Sequence, residues 1–262
     1  MLNTYVALTQ QLLQNPPAPV GLYSTANLTN YINIARGQVA GEGECIRAIG
    51  TLTTTIGQRS YSFAAINTGV VATTGIQGAI NVQWIMYNVG AGQKWIKGKS
   101  WQWFAFQRLN NPVPASGPPS EWSQYGQGSA GLGAITGEGG GTINSGSFYI
   151  DPLPDFVYTL QCDSVCYPQA LAADTDVEAI PYLWTDAVPY YAAYMALMSA
   201  QASARLEQAK QLYALYEQFM ARARNAANPS TNRYAYPQSG DPFKAGRLGV
   251  EPQRTAGGAG GA

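Results

Sequence analysis

The chain of 262 residues contains no histidine. That absence removes the commonest general base, the Ser–His and Cys–His nucleophile pairs, and most zinc sites. Cysteine is scarce as well. Cys45, Cys162 and Cys166 make no disulfide framework, and the last two lack the spacing of a redox or zinc motif. Reduced, buried thiols are the expectation. Charge is thin, with 15 basic and 15 acidic residues summing to zero. A surface so poor in charge is weakly guarded against association, so partners are expected to cover much of it. The start Met1-Leu2-Asn3-Thr4 lacks the basic stretch of a signal peptide. Residues 187–204 carry no charge, but their Ala, Ser, Gln and Tyr content, with Pro189 inside, is too polar for a membrane span.

The charge that is present is unevenly placed. No Lys or Arg occurs between Arg108 and Arg205, a stretch holding Glu121, Glu138, Asp151, Asp155, Asp163, Asp174, Asp176, Glu178 and Asp186. Basic residues gather at Lys94, Lys97, Lys99 and Arg108 and again from Arg205 onward. Two readings fit. Opposite faces of two copies can meet head to tail and close into a ring. Alternatively, the acids line solvated loops.

The strongest pattern lies near the C-terminus. From Ala187 to Ala227 an alanine-rich run free of proline after Pro189 predicts one helix, about 60 Å long at 1.5 Å per residue. Its stripe is Ala192, Met195, Ser199, Ala202, Leu206, Ala209, Tyr213, Tyr216, Met220, Ala223 and Ala227, stepping three and four. Ala202, Leu206, Ala209, Tyr213, Tyr216 and Met220 are therefore the expected packing residues. Two further helices are expected near the N-terminus. Leu2–Gln14 places Tyr5, Leu8, Leu12 and Leu13 on one side and stops at Pro16-Pro17. The second is capped by Ser24 or Thr25, carries Leu28, Tyr31, Ile32, Ala35 and Val39, and ends at Gly41-Glu42-Gly43.

Between these helices the period changes to two. Ile46 to Ile56 alternate, and Gly57-Gln58 turns the chain into Tyr61, Phe63 and Ala65. Ile80, Val82, Trp84 and Met86 alternate next, while Trp101–Leu109 fits a short helix as well as a strand. Asn110–Gly146 reads as a long Gly/Pro/Ser-rich loop, after which Phe148, Ile150, Phe156, Tyr158, Leu160 and Cys162 restore the alternation. The expected fold class is α+β: a helical bundle with an inserted antiparallel β domain and an extended arm. The divisions are 1–44 for the N-terminal helices, 45–181 for the β insertion with its loop 110–146, 182–227 for the long helix, and 228–262 for the arm. The arm has Pro229, Pro237, Pro242 and Pro252, few aromatics and a Gly/Ala end, too little to build a core.

Motifs for chemistry fail their context. Asp151 and Asp155 flank Pro152-Leu153-Pro154, a paired-carboxylate candidate for glycoside hydrolysis that reads more simply as a turn. Asp174, Asp176 and Glu178 alternate like part of a calcium loop but lack the glycine and distal glutamate of an EF-hand, so no metal is expected. Gly126, Gly128 and Gly131 spell a dinucleotide fingerprint with no strand before and no helix after, so no cofactor is expected. Arg222 and Arg224 suit the negative end of the helix dipole, and contact with nucleic acid is the alternative.

The order of parts carries a resemblance. Tyr31-Ile32-Asn33-Ile34-Ala35-Arg36, Phe148-Tyr149-Ile150-Asp151-Pro152-Leu153-Pro154-Asp155, Asp174-Thr175-Asp176-Val177-Glu178-Ala179-Ile180-Pro181 and the helix opening Asp186-Ala187-Val188-Pro189-Tyr190-Tyr191-Ala192-Ala193 carry it. Over residues 1–227 the sequence resembles the head-to-tail adaptor (connector) proteins of short-tailed bacteriophages. The resemblance implies a structural virion protein with no active site, assembled in the host cytoplasm and placed at the head–tail interface. It further implies a ring, typically a dodecamer, docked under the portal, extending the DNA channel and offering a platform to the tail nozzle. DNA would pass without base reading. In such proteins the C-terminal arm runs along the portal or a neighbouring subunit, which makes Tyr234, Tyr236, Phe243 and Arg247 the expected partner-binding residues. Two other classes remain as alternatives: a carbohydrate-degrading tail or lysis enzyme using Asp151 and Asp155, and a pore built by the Ala-rich helix.

Overall fold

The computed structural model describes residues 1–14, 22–89, 92–109, 115–125, 146–199 and 205–227. Helix α1 spans Leu2–Leu13 and α2 Thr25–Gly43. The Ser24 side chain caps α2 by accepting from the Asn27 amide, and Glu44 closes it in the left-handed region at φ 45°. Strands β1 (Arg47–Thr53) and β2 (Ser60–Ser62) follow, then the short helix α3 (Val71–Thr74). Next come β3 (Ile76–Val89), β4 (Gly92–Gly98) and the one-turn helix α4 (Trp101–Phe104), which runs into a π-helical turn. Strands β5 (Glu121–Tyr125), β6 (Ser147–Asp151) and β7 (Thr159–Pro168) complete the sheet. The chain ends its described part with α5 (Tyr182–Thr185), α6 (Ala187–Ser199) and α7 (Leu206–Ala227). The fold is mixed α/β.

The seven strands run in the order β1-β7-β3-β4-β5-β6-β2 and the sheet curls on itself. Its inner side holds Leu52, Tyr61, Phe63, Val82, Ile85, Ile96, Trp122, Phe148, Ile150 and Leu160, so every strand contributes to one core. Two expectations for this region are corrected. The sheet is not wholly antiparallel, because β4 and β5 pair in parallel through Lys97–Gly98 and Glu121–Trp122. The stretch 110–146 is not one loop either, since β5 lies within it and buries Trp122 and Ser123. The turn at Gly57-Gln58 joins strands at opposite ends of the order, and does not make a hairpin of them.

The alternation in β3 also shifts. Bulges between Ile76 and Gly78, Ala79 and Asn81, and Val82 and Trp84 each insert a residue against β7. The inward set is therefore Ala79, Val82, Ile85 and Tyr87; of the expected Ile80, Val82, Trp84 and Met86, Val82 alone belongs to it. Trp84 faces outward enough to meet Trp95 at 4.8 Å between ring centroids.

The single 60 Å helix expected over 187–227 is two helices folded back on each other. Ring pairs Tyr190–Phe219, Tyr191–Tyr216 and Tyr194–Tyr213 climb one arm as they descend the other, the mark of an antiparallel hairpin. The three-four stripe persists across both arms because each buries its own small or aromatic seam, so periodicity alone does not reveal the reversal. Ala192, Ala209, Tyr216, Met220 and Ala223 are buried and Tyr213 is half-buried. Leu206, expected in the seam, is 44% exposed at the start of α7, and Ala202 lies outside the described residues.

Two apolar clusters unite the helices. One gathers Leu2, Tyr5, Ile32, Val39, Val188 and Met220 and reaches the sheet at Ile46 and Cys166. The other gathers Leu13, Leu28, Ala193, Ala196, Leu197 and Ala209. Within this packing Thr9 on α1 is fully buried, and its hydroxyl has no hydrogen-bond partner among the described residues. Thr9→Val keeps the shape and removes the stranded hydroxyl, so it is expected to raise stability by about 1 kcal/mol. Urea unfolding measures it, and a loss above that size would mean the hydroxyl is satisfied in solution.

Candidate interaction surfaces and the joint that positions them

Arg36 is the only basic residue of α2, and it sits next to the apolar stripe of Ile32, Ala35 and Val39. Its side chain is 1% exposed. The guanidinium forks onto Glu178, with Nη2 2.7 Å from Oε1 and Nε 2.9 Å from Oε2. Nη1 donates to the Gln169 carbonyl at 2.6 Å and to Asn33 Oδ1 at 3.2 Å. Asn33 in turn holds Leu171 by both backbone groups, accepting at 2.9 Å and donating at 3.0 Å. The segment between β7 and α5 is thus a strap buckled to α2 by one buried, bidentate ion pair.

Of two other strap carboxylates, one shapes the strap and one ties it to α1. Asp176 accepts from the Ala172 and Ala173 amides, and Asp174 accepts from the Asn3 amide of α1. The two amides bonded to Asp176 hold its carboxyl below its ordinary 3.8. A depressed folded-state value stabilises the fold above the unfolded pKa, and that contribution disappears as pH falls through the folded one. The strap is therefore expected to loosen below about pH 4. Asp176→Asn should flatten that acid limb in a pH-dependent melting series, and an unchanged limb would assign it elsewhere. Among the described residues, no group of three or more His, Cys, Asp or Glu is placed to hold a metal ion.

The paired-carboxylate candidate is occupied structurally. Asp151, at the end of β6, is buried and lies 3.1 Å from an Arg59 nitrogen. Asp155 accepts from the Tyr158 hydroxyl at 2.6 Å, and that bond leads the causes that push the phenol up to about 12. Burial pushes the thiols up as well, Cys45 and Cys162 to about 12 and Cys166 to about 11, so all three are poor nucleophiles. The glycine triplet at 126–131 and the arm residues Tyr234, Tyr236, Phe243 and Arg247 lie outside the described residues. Among the described residues no helix is long and apolar enough to cross a membrane.

What the surface offers instead is apolar contact. Amide bonds from Thr54 to Tyr158 and from Gly57 to Pro154 lay residues 54–57 beside 154–158. The Tyr61 hydroxyl fastens this tip by accepting from the Thr55 amide and lying 3.0 Å from the Gln58 carbonyl. Ile56, Phe156 and Val157 stand exposed on it. Trp95, Phe106, Tyr125, Tyr182 and Leu183 are exposed elsewhere. Large apolar side chains on a rigid, nearly uncharged body suit contact with other proteins. Of these, the sequence reading singled out none as a partner surface. The Arg36–Glu178 joint was missed too, although a lone arginine beside a helical apolar stripe was its visible signal.

A family model described as SU10 adaptor protein matches residues 3–239. That span is most of the chain, which therefore belongs to this family of phage head-to-tail adaptor proteins. No curated protein matches it significantly. The protein is a phage structural adaptor.

Proposed function

We propose that the chain is the subunit of a ring that docks under the portal, prolongs the DNA channel and presents a platform to the tail nozzle. The family match over residues 3–239 carries this reading. The fold suits it: helices α1, α2, α6 and α7 share apolar clusters, and the curled sheet encloses a core of its own. In the ring the helices bundle around the channel, the sheet faces outward or tailward, and a dodecamer is the expected stoichiometry. The exposed apolar tip and the sparse charge suit a subunit whose surface is mostly covered by neighbours. DNA is expected to pass such a channel without its bases being read. The working location is the virion.

The arm 228–262 is proposed to reach the portal or a neighbouring subunit. Deleting Asn228–Ala262 should weaken binding to portal rings more than about tenfold, roughly 1.4 kcal/mol or more. The melting temperature should fall by only a few degrees. Co-sedimentation with purified portal and calorimetry of the free subunit measure the two effects. Unchanged portal binding would remove the arm from the interface.

A further inference from the structure

Two exposed features answer each other. Helices α1, α6 and α7 leave an open groove between them of about 590 Å³, lined by Leu8, Leu12, Pro189, Tyr190 and Phe219 with Asp186 at its lip. That is within the size range of clefts that hold a ligand or a buried side chain. Its floor is preformed: the Tyr190 and Phe219 rings stack with centroids 4.8 Å apart. On the sheet, Trp95 of β4 is 59% exposed. Ile96 points into the core, so Trp95 and Lys97 on either side of it share the outer face. Half-buried Trp84 meets Trp95 and braces the indole from one side.

The charges single out this pair of features. Among the described acids between Arg108 and Arg205, Glu121, Asp151, Asp163 and Glu178 are held by basic side chains. Asp155, Asp174 and Asp176 are held by a phenol, the N-terminal amine and backbone amides. Asp186 is exposed and makes no ion pair among the described residues. Lys97 is exposed and equally unpaired among them.

We propose that Trp95 of one copy enters the α1–α6–α7 groove of a second copy, its indole over the Tyr190–Phe219 floor and its Lys97 against Asp186. A desolvated indole in a preformed cleft is the usual anchor of a protein interface, and the flanking charges fix its register. The occupant is a second copy because both halves of the contact lie on this one chain: an apolar knob beside a free cation, and an apolar cleft beside a free carboxylate. Two different patches meet, so the contact is heterologous and repeats head to tail, closing into a ring where the rotation allows. The proposal rests on the ring reading and names the residues that join its subunits.

Cross-linking between two full-length chains tests it. One chain carries Gln93→Cys, beside Trp95 on the outer face, and the other Gln11→Cys at the groove. Mixed at high concentration with a short bismaleimide, they should link to each other, while either chain alone should not. The three native thiols, raised to about 11–12, react slowly under the same conditions. Trp95→Ala in the first chain should cut the yield more than about tenfold with little change in its melting temperature. Lys97→Glu in the first chain should lower the yield several-fold, and Asp186→Lys in the second should then restore it. Equal linking within either chain alone would make the contact a symmetric one and overturn the proposal. So would a charge swap without recovery, or no link both with and without portal rings. Portal docking without the link would sink this contact and leave the portal reading standing, whereas the link without docking would do the reverse.

Discussion

Replacing Glu178 by alanine is expected to lower folding stability by about 3–5 kcal/mol. The reason is what stays behind. Arg36 is 1% exposed and keeps its charge, so without Glu178 a guanidinium stands in the interior with only the Gln169 carbonyl and Asn33 to receive it. The ion pair itself is not a large net gain, because both charges lose hydration when they are buried. Hence the double change Arg36→Met with Glu178→Leu should cost clearly less than either single change. Urea denaturation of the four proteins measures this, and additive losses would show that the pair is solvent-screened. The consequence reaches beyond stability. The strap ties α2 to the sheet's exit and, through Asp174, to α1, so loosening it alters how the helical end sits on the sheet.

The second large effect belongs to a glycine. Gly37 faces β7 from the middle of α2, and a Cβ there would lie 1.9 Å from the Tyr167 hydroxyl oxygen and 2.6 Å from Cζ. Alanine at this position gains about 1 kcal/mol of intrinsic helix propensity. Overpacking against the Tyr167 ring costs about 1–3 kcal/mol, and the clash here is deep, so the overpacking wins. Gly37→Ala should destabilise by about 1–2 kcal/mol and Gly37→Leu by about 3 kcal/mol. Adding Tyr167→Phe to Gly37→Ala should recover only part, because Cζ remains too close. A stabilised Gly37→Ala variant would mean that α2 stands farther from β7 than described.

Much of this architecture was legible in the chain. The two N-terminal helices announce themselves by stripes and by the Ser24 cap, and strands β1, β6 and β7 by alternation. What was not legible has physical causes. The α6–α7 reversal hides inside a continuous three-four stripe, since both arms bury seams of the same kind. The bulges in β3 shift its buried face by one residue at a time, which no strict period-two reading can follow. Strand β5 is five residues long, sits among glycines and prolines, and pairs in parallel with β4, so neither its flanks nor a hairpin turn mark it. The joint at Arg36 depends on Glu178, 142 positions away, and sequence spacing carries no such information. The surfaces were less visible still. Exposed Phe156 continues the alternating pattern of Tyr158 and Leu160, and only the fold shows that it stands outside the core.

The absence of histidine and the scarcity of charge were the first guides, and they gain a physical setting in the fold. Asp151 and Asp155 are engaged by Arg59 and Tyr158, the thiols are held protonated by burial, and the strap carboxylates shape a turn. Each polar group named here has a structural partner that accounts for it. The exposed apolar residues are the feature that folding of the subunit leaves unexplained, and the proposed assembly would supply their partners.

Electron microscopy of the purified protein, alone and mixed with portal rings, tests the adaptor account most directly. The account predicts rings with a central hole seated coaxially on one face of the portal, with the helical ends toward the channel. Subunits that remain separate from the portal at concentrations well above those in an assembling cell would contradict it.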